Sequence, residues 1–236
     1  VPARLSYLTV VSGEGAADAL PDTLRSVADA AREGTTVAIA SDAANLARVA
    51  ALLGPTVDGV FNKRVGGVPA LCLGFGEGVL RQSDALNELS KAAWEGADVF
   101  VTLAAGDTVS PDYPDAVDAA FRDGNGIVGA VVTDRWDGPL RVHEEPMSRG
   151  RLLETVWCPP VLAVGRFALK AAGPWDPDAH PGEAYDMAVR LTERFIIAHV
   201  PRPLVRCRPR PPLPEADAVA AWRRAVSLAN WRADVK

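Results

Sequence analysis

The chain has 236 residues, 48% of them apolar and 23% charged, with a net charge of −5. Those proportions are ordinary for a soluble globular protein with a large core, and they exclude a disordered, fibrous or disulfide-built chain. An overall acidic chain gives no case for nucleic acid, and no apolar run approaches the roughly 20 residues needed to span a bilayer.

Leu5 to Val11 (LSYLTVV) is apolar and β-rich and stops at Ser12-Gly13-Glu14-Gly15. Leu20, Leu24, Val27, Ala28 and Ala31 then fall at three-to-four spacing, which predicts a helix closed by Gly34. Thr36 to Ala40 is a second strand ending at Ser41-Asp42, and Ala43 to Leu53 is a second helix ended by Gly54-Pro55. Val68 to Leu73 reads as a strand before a glycine-rich turn, and Ser83 to Trp94 as a helix with Ser83 at its N-cap. Val99 to Leu103 predicts a central strand covered on both faces. Pro111 to Arg122 is helical and Gly126 to Thr133 strand-like.

The second half is richer in Pro, Trp and Arg. Strands are expected at Trp136 to Val142, Val161 to Gly165 and Ile196 to Val200, and helices at Arg166 to Ala172 and Glu183 to Arg194. Pro209 to Pro214 is a stiff linker. Glu215 to Ala233 is a closing amphipathic helix with Val219, Trp222, Val226 and Ala229 on one face. Alternating strands and helices predict an α/β fold, a three-layer α/β/α sandwich around a mostly parallel sheet.

Charge is unevenly distributed. From Arg202 onward there are eight basic residues against three acids, a net of +5, so that about −10 falls on the rest. Such a tail is either solvated and paired within the chain, or offered to anionic lipid, a phosphorylated ligand or an acidic partner. Cys72, Cys158 and Cys207 are far apart and form no metal or disulfide pattern, as suits buried thiols in a reducing cytoplasm. No charged-then-apolar leader opens the chain. It starts at Val1 rather than Met, as a processed chain or part of a longer one does.

Single motifs are weak. Gly13-Glu14-Gly15 lacks the third glycine of a dinucleotide fingerprint, and Asp18 in its place would repel a pyrophosphate. The glycine-rich turn at Gly74 to Gly78 has no P-loop lysine, and no G-x-S-x-G is present. His143, His180 and His199 share no spacing and read as surface or structural side chains rather than metal ligands.

Taken in order, several segments resemble the family 2 glycosyltransferases. LSYLTVVSGEG and Leu24-Arg25-Ser26-Val27 are similar to the family's first strand and its L-x-S-hydrophobic helix. VAIASDAAN resembles the strand that ends in an acid holding base or ribose, here Asp42. ALNELSKAAWEGADVFVTLAAGD resembles the helix and strand leading into D-x-D, with Asn87 matching the family Asn and Leu86 replacing its Arg. Gly173-Pro174-Trp175-Asp176 and Glu183-Ala184 stand for the family's G-G-F-D and E-D, and AHVPRPLVRCR for its closing strand and arginine. The likeness covers residues 5 to 208. It implies the GT-A fold over 1–208, with a nucleotide-binding half of about 1–110 and an acceptor half of about 111–208. The linker and helix of 209–236 then follow.

The resemblance also implies chemistry. D-x-D carboxylates hold Mg²⁺ or Mn²⁺ on the sugar-nucleotide diphosphate, and the E-D carboxylate takes a proton from the acceptor hydroxyl. Here the first device reads Ala104-Ala105-Gly106-Asp107, and the presumed base is Ala184. A methyl group neither binds a cation nor accepts a proton. One reading is a catalytically silent module without a metal cofactor. It would bind a nucleotide-sugar or glycan, or scaffold a protein partner such as an active glycosyltransferase. Cytoplasmic cell-surface polysaccharide synthesis, with peripheral membrane contact through the basic tail, is its implied setting. A second reading is transfer through a rearranged site, with Asp107 as a lone metal ligand and Glu183 or Asp186 as base. A metal-independent variant of it uses Arg206 or Arg208. A third is an α/β domain of unrelated function. Ser12, Asp42, Asn87 and Asp107 are the nucleotide-binding candidates. Asp42 reads equally well as a helix N-cap, and Asn87 as a polar surface residue.

Overall fold

A computed structural model describes residues 2–53, 60–76, 80–144, 148–154, 159–179 and 182–209, with 216, 219, 220, 223, 226 and 227 beyond them. β1 (Leu5–Val11) leads into α1 (Ala16–Ala30), and β2 (Thr36–Ser41) into α2 (Ala43–Leu53). β3 (Val60–Val65) and β4 (Val68–Gly74) form a hairpin before α3 (Gln82–Ala93), β5 (Val99–Thr102) and β6 (Thr108–Val109). Then come α4 (Tyr113–Asp123), β7 (Val128–Asp137), β8 (Leu140–Val142) and α5 (Arg149–Glu154). β9 (Ala163–Gly165), α6 (Arg166–Ala172), α7 (Glu183–Leu191) and β10 (Ile196–Cys207) complete the described elements.

The strands form one sheet in the order β3-β4-β2-β1-β5-β9-β7-β10-β6, with β8 paired to β7. β4, β2, β1 and β5 are parallel neighbours, β7 and β10 run parallel to each other, and β9 lies antiparallel between β5 and β7. Side chains alternate across the central strands. Leu5, Tyr7 and Val11 of β1 join Val99 and Val101 of β5 in a core under α1, α2 and α4. Leu8 and Phe100 face the other way, into a core with Leu86 and Leu89 of α3, Leu169 of α6 and Tyr185 and Val189 of α7. Two cores on opposite faces of one sheet make the expected three-layer sandwich.

Several local expectations are corrected. β3 was not anticipated, because Asn62, Lys63 and Arg64 interrupt its apolar pattern, as charged residues do on edge strands. Gly66 and Gly67, at φ 55° and 88°, supply the two positive-φ residues that a two-residue hairpin turn needs. Ser83 does not cap α3. Arg81 occupies the N-cap without a side-chain bond, and Ser83 is buried inside the first turn. The strand expected at Trp136 to Val142 is the end of β7, a turn at Gly138 and the short β8. β10 continues past Pro201 and Pro203 to Cys207, with register shifts at Pro203. α5 was also not expected. Residues 216, 219, 220, 223, 226 and 227 of the closing segment are helical, and the rest of Glu215 to Ala233 lies outside the described residues, as does most of the proline linker. No helix among the described residues is long and apolar enough to cross a membrane.

Candidate functional site

β1 is flanked by β2, reached through α1 on one face, and by β5, entered from α3 on the other. Strand order therefore reverses beside β1, and open α/β sheets leave a crevice beyond the carboxyl ends of the strands at such a point. A cleft of about 580 Å³ lies there. Val10, Ser12 and Glu14 line it from β1 and the turn that follows, and Thr102, Ala104 and Ala105 from β5 and its turn. Leu86, Trp175, Glu183, Ala184 and Arg208 close the remaining sides. Leu86, which the resemblance sets in place of an arginine, is thus among the residues that line the cleft.

Of the candidates named from sequence, Ser12 and Glu183 line this cleft, and Ser12 is exposed while Glu183 is buried at the first residue of α7. Asp42 is not among the cleft's lining residues. Asp42 Oδ1 accepts the Asn45 backbone N–H at 2.9 Å and Asn45 Nδ2 at 2.8 Å, and Oδ2 accepts the Gly13 N–H at 3.0 Å. It caps α2 and at the same time fixes the turn after β1. Partial burial opposes its charge, but the Asn45 and Gly13 donors prevail and hold its pKa below the ordinary aspartate value.

Asn87 is engaged elsewhere too. Its Nδ2 donates to the Trp175 carbonyl at 2.9 Å and its Oδ1 accepts the Trp175 N–H at 2.8 Å, so that it positions a cleft-lining residue from behind. Asp186 is buried; its Oδ2 accepts a hydrogen bond from Arg190 Nε at 2.8 Å and forms an ion pair with Nη2 at 2.7 Å. Arg190 Nη1 in turn donates to the carbonyls of Ala172 and Pro174, each at 2.8 Å. The pair thus ties α7 to the Gly173-Pro174-Trp175 loop.

The turn after β5 is held by α1. Thr23 Oγ1 accepts the Gly106 N–H at 2.8 Å and donates to the Asp107 carbonyl at 2.8 Å, while Ser26 Oγ accepts the Val109 N–H at 3.2 Å. Sequence reasoning passed over Thr23, although its i,i+3 spacing from Ser26 on the helix was the available signal. Asp107 is fully buried, and its Oδ1 accepts the Arg208 backbone N–H at 2.8 Å, joining the turn to the end of β10. Arg208 then lies over the turn: a Cβ built on Gly106, at φ 94°, would meet Arg208 Cδ at 2.6 Å. Its Nη1 donates to the Gly15 carbonyl at the start of α1, at 3.2 Å.

Resemblance puts a divalent cation at this turn, and the residues there do not fit one. Ala104 and Ala105 offer methyl groups, Gly106 has no side chain, and Asp107 is turned into the protein on a backbone amide. The side chain of a cation, Arg208, lies against Gly106 of the turn instead.

This architecture is the GT-A-like fold of nucleotide-sugar transferases. Among solved structures that share it, TarS 1–349 of S. aureus superposes with a TM-score of 0.69 at 8% identity, over 96% of this chain and 65% of its own. The same protein in complex with UDP-GlcNAc gives 0.62 at 10% identity, over 96% and 66%. The mannosyltransferase PcManGT from Pyrobaculum calidifontis, in complex with GDP-Man and Mn²⁺, gives 0.61 at 15% identity, over 95% and 61%. The chain thus spans just under two thirds of these structures. No family model matches it, and no curated protein matches it in sequence.

Proposed function

We propose that this chain is a glycosyltransferase-like domain that binds a nucleoside diphosphate-sugar in the cleft without a divalent cation and does not transfer the sugar. The observation that carries this reading is Arg208 lying over Gly106. A guanidinium presents a fork of donors to phosphate oxygens and supplies the positive charge that a metal would otherwise provide. The UDP-GlcNAc and GDP-Man complexes of proteins with this fold suggest the ligand class. Loss of an acid at Ala184 supports binding or scaffolding over reaction, because no carboxylate occupies the position from which the family's base acts.

Glu183 favours a second reading. It lines the same cleft one residue away, and its carboxylate, turned toward the cleft, would take the proton of an acceptor hydroxyl in metal-independent transfer. A thermal-shift screen of UDP-, GDP- and dTDP-sugars in chelator and in Mn²⁺ tests the main reading. A stabilising shift in chelator is expected, and a shift that requires Mn²⁺ contradicts it. Release of nucleotide from the sugar donor in the wild type, abolished in Glu183→Gln, would establish the second reading in its place.

A further inference from the structure

Asp134, Arg141, His143 and His199, none of which lines the cleft, form a cluster on β7, the β7–β8 hairpin and β10. Asp134 is fully buried. His199 Nε2 lies 2.8 Å from its Oδ1, and His143 Nδ1, just past β8, lies 3.1 Å from its Oδ2. The two imidazoles meet edge to face with centroids 4.9 Å apart. One donor atom from each of the three residues falls within 4.8 Å of the others.

We propose that Asp134, His143 and His199 form a binding site for a divalent transition metal, with Zn²⁺ as the best match. A tetrahedral ion with bonds of roughly 2.0–2.2 Å holds its ligand atoms about 3.3 Å apart. From the single oxygen Oδ1 of Asp134, His199 Nε2 lies at 2.8 Å and His143 Nδ1 at 3.0 Å, separations that approach that spacing. The exposed His143 ring, with 58% of its side chain accessible, has room to close the third. Two imidazoles and one carboxylate select zinc over magnesium or calcium, which prefer all-oxygen shells. The competing cation is Arg141, whose Nη2 is 2.9 Å from Asp134 Oδ2. Its side chain is half exposed and the same nitrogen is 3.3 Å from the Pro201 carbonyl, so it can yield the carboxylate and keep a partner. The Glu144 backbone N–H, 3.2 Å from Asp134 Oδ1, still orients the carboxylate. Three protein ligands leave a fourth position on the solvent side for water or an exchangeable donor. The bound ion would pin the β7–β8 hairpin to β10.

Spacing along the chain conceals this site, because its ligands come from β7, from the residue that follows β8, and from β10, which only the sheet brings together. The test is calorimetric titration of the full chain, stripped with chelator, with Zn²⁺, and separately with Co²⁺ followed by visible absorption. One Zn²⁺ per chain is expected at micromolar metal, with the d–d bands of four-coordinate Co²⁺ and no competition from Mg²⁺. His143→Ala, exposed enough to leave the fold intact by circular dichroism, is expected to weaken Zn²⁺ binding by more than about tenfold. Absence of stoichiometric Zn²⁺ binding by the folded wild type overturns the proposal. So does unchanged binding in folded His143→Ala.

Discussion

Arg208 lies across Gly106, so that a Cβ there would come within 2.6 Å of Arg208 Cδ and 3.1 Å of Ala19 Cβ. The position at which the family resemblance places the second metal-binding acid is thus sterically occupied by a cation's own stem. Gly106→Asp must expel Arg208 and accept φ near 94°. It is expected to destabilise the chain by about 1–3 kcal/mol, measured as a lowered urea midpoint, without conferring Mn²⁺ binding. Unchanged stability would mean that the Arg208 contact does not hold in solution.

Asp42 links stability to pH. Its pKa is lowered in the folded chain, so its charge stabilises the fold above the ordinary aspartate value, and that contribution is lost as pH falls through the folded value. Asp42→Ala should cost about 1 kcal/mol at neutral pH, the worth of an N-cap. The gap from wild type should narrow on acidification below the ordinary aspartate range, and denaturant curves across pH check this. A gap that widens in acid would contradict the assignment.

Asp186 and Arg190 are both buried, at 2% and 8% exposure. Arg190→Ala leaves a carboxylate without its main counter-charge and is expected to cost about 3–5 kcal/mol, whereas replacing both residues with apolar ones should recover much of that loss. Chemical denaturation of the two variants separates this structural role from a catalytic one. An Asp186→Asn protein of wild-type stability that had lost a transfer activity would return Asp186 to the acid–base candidates.

Elements with unbroken local signals were legible in the sequence. Leu5–Val11, Ala43–Leu53 and Arg166–Ala172 match their expected bounds because apolar periodicity and flanking Gly, Pro or Asp agree there. β3 and the far half of β10 were not legible, since charged residues in one and prolines in the other break the pattern that burial usually imposes. Within the site, Ala104 and Ala105 of the turn after β5 and Glu183 and Ala184 at the start of α7 do converge on one cleft. The N-cap role of Asp42 was legible from its place before α2, though its bond to Gly13 was not. The tasks of Asn87, Asp107 and Asp186 were hidden, because each bonds a group far away in sequence or belongs to a helix whose packing only the fold defines. Asp107 to Arg208 is a separation of 101 residues, and no local spacing encodes it.

Isothermal titration of UDP and GDP into the chain in chelator, for wild type and Arg208→Ala, tests the central claim most directly. The alanine variant keeps the backbone N–H that Asp107 accepts, so the turn is preserved while the cation is removed. Binding in chelator that Mn²⁺ does not strengthen, weakened about 10- to 100-fold in Arg208→Ala, is the expected result. Binding that appears only with Mn²⁺, or that is equally tight in Arg208→Ala, would contradict a cleft in which an arginine has taken the place of the metal.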